Sequence, residues 1–124
     1  MPFVKAKFSC PVSAEQERML KSRFGKAIAL IPGKSEDYFF LELESGCRIW
    51  LHGADSEPAA YLEAAVYGVD DHAGYPEFAA EAARSCEQVL GIPLRNVFVK
   101  FEDISSCDVG GHFFDHTKTE NCGR

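Results

Sequence analysis

Pro2-Phe3-Val4-Lys5-Ala6-Lys7-Phe8-Ser9 alternates along its length, with Val4, Ala6 and Phe8 on one face and Phe3, Lys5 and Lys7 on the other. That is the two-residue period of a half-buried strand, so the sequence opens directly with a strand. The stretch decides the fold because it returns later in the chain. Phe3, Val4, Ala6 and Phe8 match Tyr61, Leu62, Ala64 and Val66 at one constant offset, and Gly33 matches Gly91 at the same offset.

What lies between the two strands repeats as well. Ser13 followed by Gln16 is a capping-box pattern, and Leu20, Phe24, Ala27, Ile28 and Ile31 then recur at helical spacing until Pro32-Gly33 stops the run. From Tyr38 to Glu44 the alternation resumes, with Phe39, Leu41 and Leu43 opposite Phe40, Glu42 and Glu44, and Cys47 to His52 reads as a further short extended piece. After the loop Gly53 to Pro58, Ala60 to Tyr67 is a strand with Leu62, Ala64 and Val66 inward. Tyr75 to Leu90 is a helix carrying Phe78, Ala82, Cys86 and Val89, with Pro76 suited to its first turn and Gly91 to its end. Val97 to Glu102 closes the pattern as a strand with Phe98 and Lys100 on one face.

The order is β-α-β, twice. One such unit leaves a sheet face and edges unsatisfied, whereas two side by side make a four-stranded sheet. The expected fold is therefore α+β, two pseudo-symmetric β-α-β units whose right-handed crossovers put both helices on one face. The other face needs a cover, which three copies packed sheet-inward as a homotrimer would supply. Residues 1–111 form the expected domain and 112–124 a tail in which Phe113 or Phe114 could cap a pocket or a neighbouring subunit, disordered from Thr117 to Arg124.

With 124 residues, 46% of them hydrophobic, the chain can bury one core. A formal charge of −6 without a run of Lys and Arg argues against a nucleic-acid partner. The sequence has neither a membrane-length apolar segment nor the order of a signal peptide, so a cytoplasmic protein is expected, with release by some other route left open. Five widely spaced cysteines without a C-x-x-C pair read as reduced thiols, Cys86 in a helix core. Cys107, His112, His116 and Cys122 are zinc-ligand types, but they lack the tight hairpin spacing of structural zinc sites, and no metal or cofactor is expected.

Met1-Pro2-Phe3, Gly33-Lys34, Ser56-Glu57-Pro58, Gly91-Ile92-Pro93-Leu94-Arg95-Asn96-Val97 and Val109-Gly110, in that order and spacing, resemble the macrophage migration inhibitory factor and D-dopachrome tautomerase group of the tautomerase superfamily. The resemblance covers roughly residues 1–111. It implies a homotrimer with active sites between subunits, Pro2 as catalytic base after loss of Met1, Lys34 as anchor for a substrate carboxylate, and the Tyr67 backbone N–H as a donor. Phe98 and Lys100 fall where the family usually has Tyr and Asn from the neighbouring subunit. Ala59 and Leu62 replace the C-x-x-C pair of some members, so no thiol-redox role is implied.

The chemistry agrees with that expectation. A tautomerase needs a base that is neutral near physiological pH. A free α-amine titrates near ~7.7 to 8.0, and burial lowers this. The proline ring also fixes the direction of the lone pair. Phe3, Tyr67 and Phe98 are the expected walls. The alternative reading of Lys34 is a helix-terminal charge, and Lys100 is either a solvated lysine or a second cation at the pocket. His52, His72 and the carboxylates Glu42, Glu44, Glu57 and Glu63 show no partner in the sequence. The expected function is phenylpyruvate-type keto–enol tautomerisation of a small 2-oxo acid. A cytokine-like binding or signalling protein with a protein receptor is the alternative, and decarboxylation or hydration by the same proline lacks an identifiable residue set.

Overall fold

The computed structural model describes residues 1–117. β1 (Pro2–Phe8), α1 (Ala14–Ala27), β2 (Phe40–Glu44), β3 (Ala60–Tyr67), α2 (Tyr75–Leu90) and β4 (Val97–Ile104) follow one another, and β5 (Ser106–Val109) and β6 (His112–Asp115) form a hairpin beyond them. The large sheet runs β2-β1-β3-β4: β1 pairs parallel with β2 and antiparallel with β3, and β3 pairs parallel with β4. Each β-α-β unit thus supplies one parallel pair, and the two inner strands join the units, as the repeated pattern predicts.

Alternation decides which face is covered. Val4, Ala6, Phe8, Leu62, Ala64 and Val66 are buried under the helices, while Lys5 and Lys7 point to the opposite face. Helix α1 contributes Leu20 and Phe24 to this core, and α2 contributes Phe78, Ala82 and Cys86. Burial of these side chains outweighs helix propensity, which is weak at this length.

The capping box forms as read: Gln16 N–H donates to Ser13 Oγ (3.1 Å) and Ser13 N–H to Gln16 Oε1 (2.9 Å). Gln16 Nε2 also donates to the Val89 carbonyl (3.2 Å), tying the start of α1 to the end of α2. Ser13→Ala is expected to cost about 1 kcal/mol, read as a lower urea midpoint at constant m.

Several boundaries differ from the sequence expectation. Helix α1 ends at Ala27 and tightens into a single 3-10 turn over Ile28–Leu30 before Pro32. Tyr38 lies in another 3-10 turn, Glu36–Tyr38, and β2 starts at Phe40. Cys47 to His52 joins no sheet. Cys47 N–H donates to the Phe8 carbonyl (2.8 Å), and the piece then closes on itself through a bridge between Leu51 and Ala54, with His52 at φ 56. The hairpin, with its Gly110-Gly111 turn, straddles residue 111, where no element was expected. Of the tail expected to be disordered, only Thr117 is among the described residues. Cys122 also lies outside them; among the described residues Cys10, Cys47, Cys86 and Cys107 are free thiols, and no group of three or more ligand-type side chains could hold a metal ion. No helix among the described residues is long and apolar enough to cross a membrane.

Candidate active site

Four elements meet at one end of the sheet. The start of β1 brings Met1 and Pro2, and the antiparallel register sets Pro2 opposite Val66, so the end of β3 places Tyr67 beside the chain start. Tyr67 N–H donates to the Met1 carbonyl (3.2 Å). Gly33, at φ 79, turns the chain after the first helical segment, and Lys34 follows with its N–H on the Ile31 carbonyl (3.1 Å). Its Nζ reaches across to donate to the Tyr67 carbonyl (2.7 Å) and stands 5.9 Å from the centroid of the Tyr67 ring.

These groups line a cavity of about 280 Å³, completed by Ser35, Tyr38 and Phe114. Phe114 comes from β6 and meets Tyr67 edge-on, centroids 6.2 Å apart. The wall is thus aromatic on two sides, with a cation at its floor. The environment acts on the amine at the chain start: burial first, then the charge of Lys34 and a hydrogen bond from it, lower the Met1 ammonium from 8.0 to about 5. Here Pro2 itself is buried and its nitrogen is a tertiary amide, so the Met1 amine stands in for a basic nitrogen at this position.

The structure brings Pro2, Lys34 and Tyr67 together, and it places Phe98 and Lys100 elsewhere in the same chain. Both are exposed on the face of β4 away from the helices, and Lys100 Nζ is 3.3 Å from the carboxylate of Glu63, its register partner on β3. Phe3 is on that outer face too, 5.9 Å from the Phe40 ring, rather than in the cavity wall. Tyr38 lines the cavity without having been singled out as a binding residue, and of the two tail aromatics expected as a cap it is Phe114 that lines the cavity, while Phe113 is exposed. The Gly110-Gly111 pair between two short runs is the signal that could have revealed the hairpin carrying Phe114.

A more voluminous groove of about 930 Å³ runs between α1 and β2 over Phe39, Leu41 and Leu43. It is open, its rim is charged, and Lys21 is paired there with Glu36 at 2.9 Å, so it offers no base in a sheltered setting. His72, unpaired in the sequence reading, has a partner: its Nε2 is 2.5 Å from Asp103 Oδ2, and the Tyr75 hydroxyl donates to the other oxygen (2.9 Å). Hydrogen bonding from His72 is the largest cause holding the Asp103 carboxyl below its usual range. Glu57 also has partners, Arg95 (3.0 Å) and Asn96 (3.0 Å), which bind it to the turn before β4.

No protein-family model and no curated protein matches the sequence. Solved structures do match the fold. MIF2 of Leishmania major superposes with a TM-score of 0.84 at 22% identity, covering 92% of this chain and 97% of that one. The macrophage migration inhibitory factor homologue of Prochlorococcus marinus gives 0.77 at 25% identity, with 90% and 98% covered. A fused 4-OT, described as an asymmetric trimer, gives 0.76 at 18% identity, with 98% and 99% covered. The chain shares the α+β fold of these structures. They include macrophage migration inhibitory factor proteins, the group its motifs resemble.

Proposed function

We propose that the protein is a cytoplasmic keto–enol tautomerase for small 2-oxo acids of the phenylpyruvate type, with the Pro2 amine as general base once Met1 has been removed. The observation that carries this reading is the cavity at the chain start, where burial and then Lys34 lower the Met1 amine to about 5, the environment a Pro2 amine would meet once Met1 is gone. The neutral Pro2 nitrogen takes the proton from the carbon beside the ketone. The C–H electrons become the enolate double bond, and protonated Pro2 or a water returns a proton to the oxygen. Lys34 Nζ holds the substrate carboxylate, and the Tyr67 N–H, which meets the Met1 carbonyl here, marks the place for a substrate oxygen.

The assembly we propose is a homotrimer. The outer sheet face carries Phe98 at 49% and Phe40 at 57% exposure, more apolar surface than a lone chain needs. In a trimer, Phe98 and Lys100 of a neighbouring copy would reach the cavity rim. The four described free thiols support a reducing compartment.

The test is phenylpyruvate enolisation by protein whose intact mass proves loss of Met1, alongside protein that retains it. Activity in the first alone supports the reading, and equal rates or none transfer the assignment to a binding protein. The pH profile gives a second check. The active form is the neutral amine, so kcat/KM rises with pH through the depressed pKa and is flat above it. Lys34→Gln removes two of the three lowering causes and leaves burial, so the limb moves to higher pH and KM for the carboxylate substrate rises about tenfold, the scale of one charge-assisted hydrogen bond. A limb that stays in place would remove Lys34 from the account.

A further inference from the structure

Phe114 reaches the cavity because the β5–β6 hairpin folds back over the end of β3, and one side chain fastens it there. His116 follows β6 directly and donates its N–H to the Ser105 carbonyl (2.7 Å), closing the base of the hairpin. Its side chain is only 24% exposed. The ring stands edge-on to Tyr67, centroids 5.7 Å apart, and lies over Gly68, where an added Cβ would be 3.6 Å from Nδ1. On its outer side, Nε2 is 3.1 Å from Asp70 Oδ2.

This clamp joins the pocket wall to the loop after β3 through an ionisable ring. A neutral imidazole can still donate from Nε2, and a protonated one adds Coulomb attraction to Asp70. The other charged or titratable groups around the ring and the hairpin face it supports are Asp71 in the same loop, Asp115 on β6, Lys34 beyond the Tyr67 ring, Cys107 opposite Phe114 on β5, and His112. The His112 ring meets Phe114 edge-on at 4.6 Å. Cys107 also acts on the amine at the chain start, in the raising direction, while Phe114 is the member of the pair that lines the cavity.

We propose that His116 is a positioning residue of this pocket: through Tyr67 and Asp70 it holds the hairpin, and with it Phe114, against the cavity, more firmly when its ring is protonated. The inference rests on reading the cavity as a substrate pocket, so the experiment has one arm that needs no turnover. Asp70 is exposed, and an exposed ion pair changes the closed-to-open ratio by about two- to fivefold.

In the first arm, hydrogen exchange of the β5 and β6 amides, corrected for intrinsic rates, is followed at pH 5.5 and pH 8. Protection should fall by that factor at the higher pH in the unaltered protein and should not change with pH in His116→Gln or Asp70→Asn. His112→Gln should keep the full response. In the second arm, the ratio of KM for phenylpyruvate between His116→Gln and the unaltered protein should change with pH by the same factor, with kcat unmoved. Comparison at each pH cancels the titration of the base. Protection that ignores pH in the unaltered protein, a response that survives in both His116→Gln and Asp70→Asn, or one lost in His112→Gln would overturn the proposal. A clamp seen by exchange without any turnover would uphold the clamp and defeat the reading of the pocket.

Discussion

Phenylpyruvate turnover is expected to fall by about 10²- to 10⁴-fold when Met1 stays attached to Pro2, the range a positioned general base contributes. Retained Met1 acts twice. Its peptide bond draws the Pro2 lone pair into an amide, and its carbonyl takes the Tyr67 N–H (3.2 Å) that the proposed mechanism assigns to substrate. Pro2→Gly, processed to a free terminus, separates the two effects, because a primary amine remains and the carbonyl is gone. That variant should lose about 10²-fold, mainly through a weaker base with more orientational freedom. Pro2 is buried against the core, so circular dichroism and the urea midpoint must accompany the rate. Retained Met1 without a loss of rate would show that some other group takes the proton.

Gly74→Ala should destabilise the fold by about 3 kcal/mol. Gly74 caps the start of α2 at φ 83, a conformation that strains any residue with a Cβ. Space makes the problem worse: a Cβ would lie 2.2 Å from the Leu30 carbonyl oxygen and 2.7 Å from the Ile31 Cα, both backbone atoms that cannot swing aside. Residues 30 and 31 lead into the turn that delivers Lys34, so whatever protein folds should also show a raised KM. Gly25→Ala is the control. The three atoms nearest its Cβ would all belong to the carboxylate of Glu36 (2.5 Å for the nearest), the far end of an exposed side chain, and alanine favours the helix. The unfolding free energy of Gly25→Ala, taken from urea denaturation, should change by less than about 1 kcal/mol, and equal losses in the two variants would contradict this account.

How much of this was legible in the sequence depended on the range of the interactions. Strands β1 and β3 and helices α1 and α2 bury one face against the core, so the burial period is written into Val4, Ala6 and Phe8 or Phe78, Ala82 and Cys86. The strands β5 and β6 are four residues each and mostly exposed, so no period develops. Cys47 to His52 has the composition of a strand, but beyond the single Cys47 N–H bond to Phe8 at the end of β1 it bridges only to Ala54, three residues on from Leu51. Pro2 and Lys34 stood out through motif context. Tyr38 did not, and nothing in the sequence chose Phe114 over Phe113 as the cap, since only tertiary folding brings a 3-10 turn and a distant hairpin to one cavity. The partner of His72 lies 31 residues away, a contact no local pattern reports.

The repeated architecture has a chemical asymmetry. The position in the second unit that corresponds to Pro2 is Ala60, the first residue of β3, and its nitrogen is locked in a peptide bond with Ala59. That corner is also sealed: Ala59 and Ala60 are buried, and Ala59 exchanges hydrogen bonds with Ser9, through its N–H (2.8 Å) and its carbonyl (3.0 Å). Twofold geometry therefore cannot give twofold reactivity. A mechanism-based label directed at the basic nitrogen should saturate at one equivalent per polypeptide, however alike the two halves are.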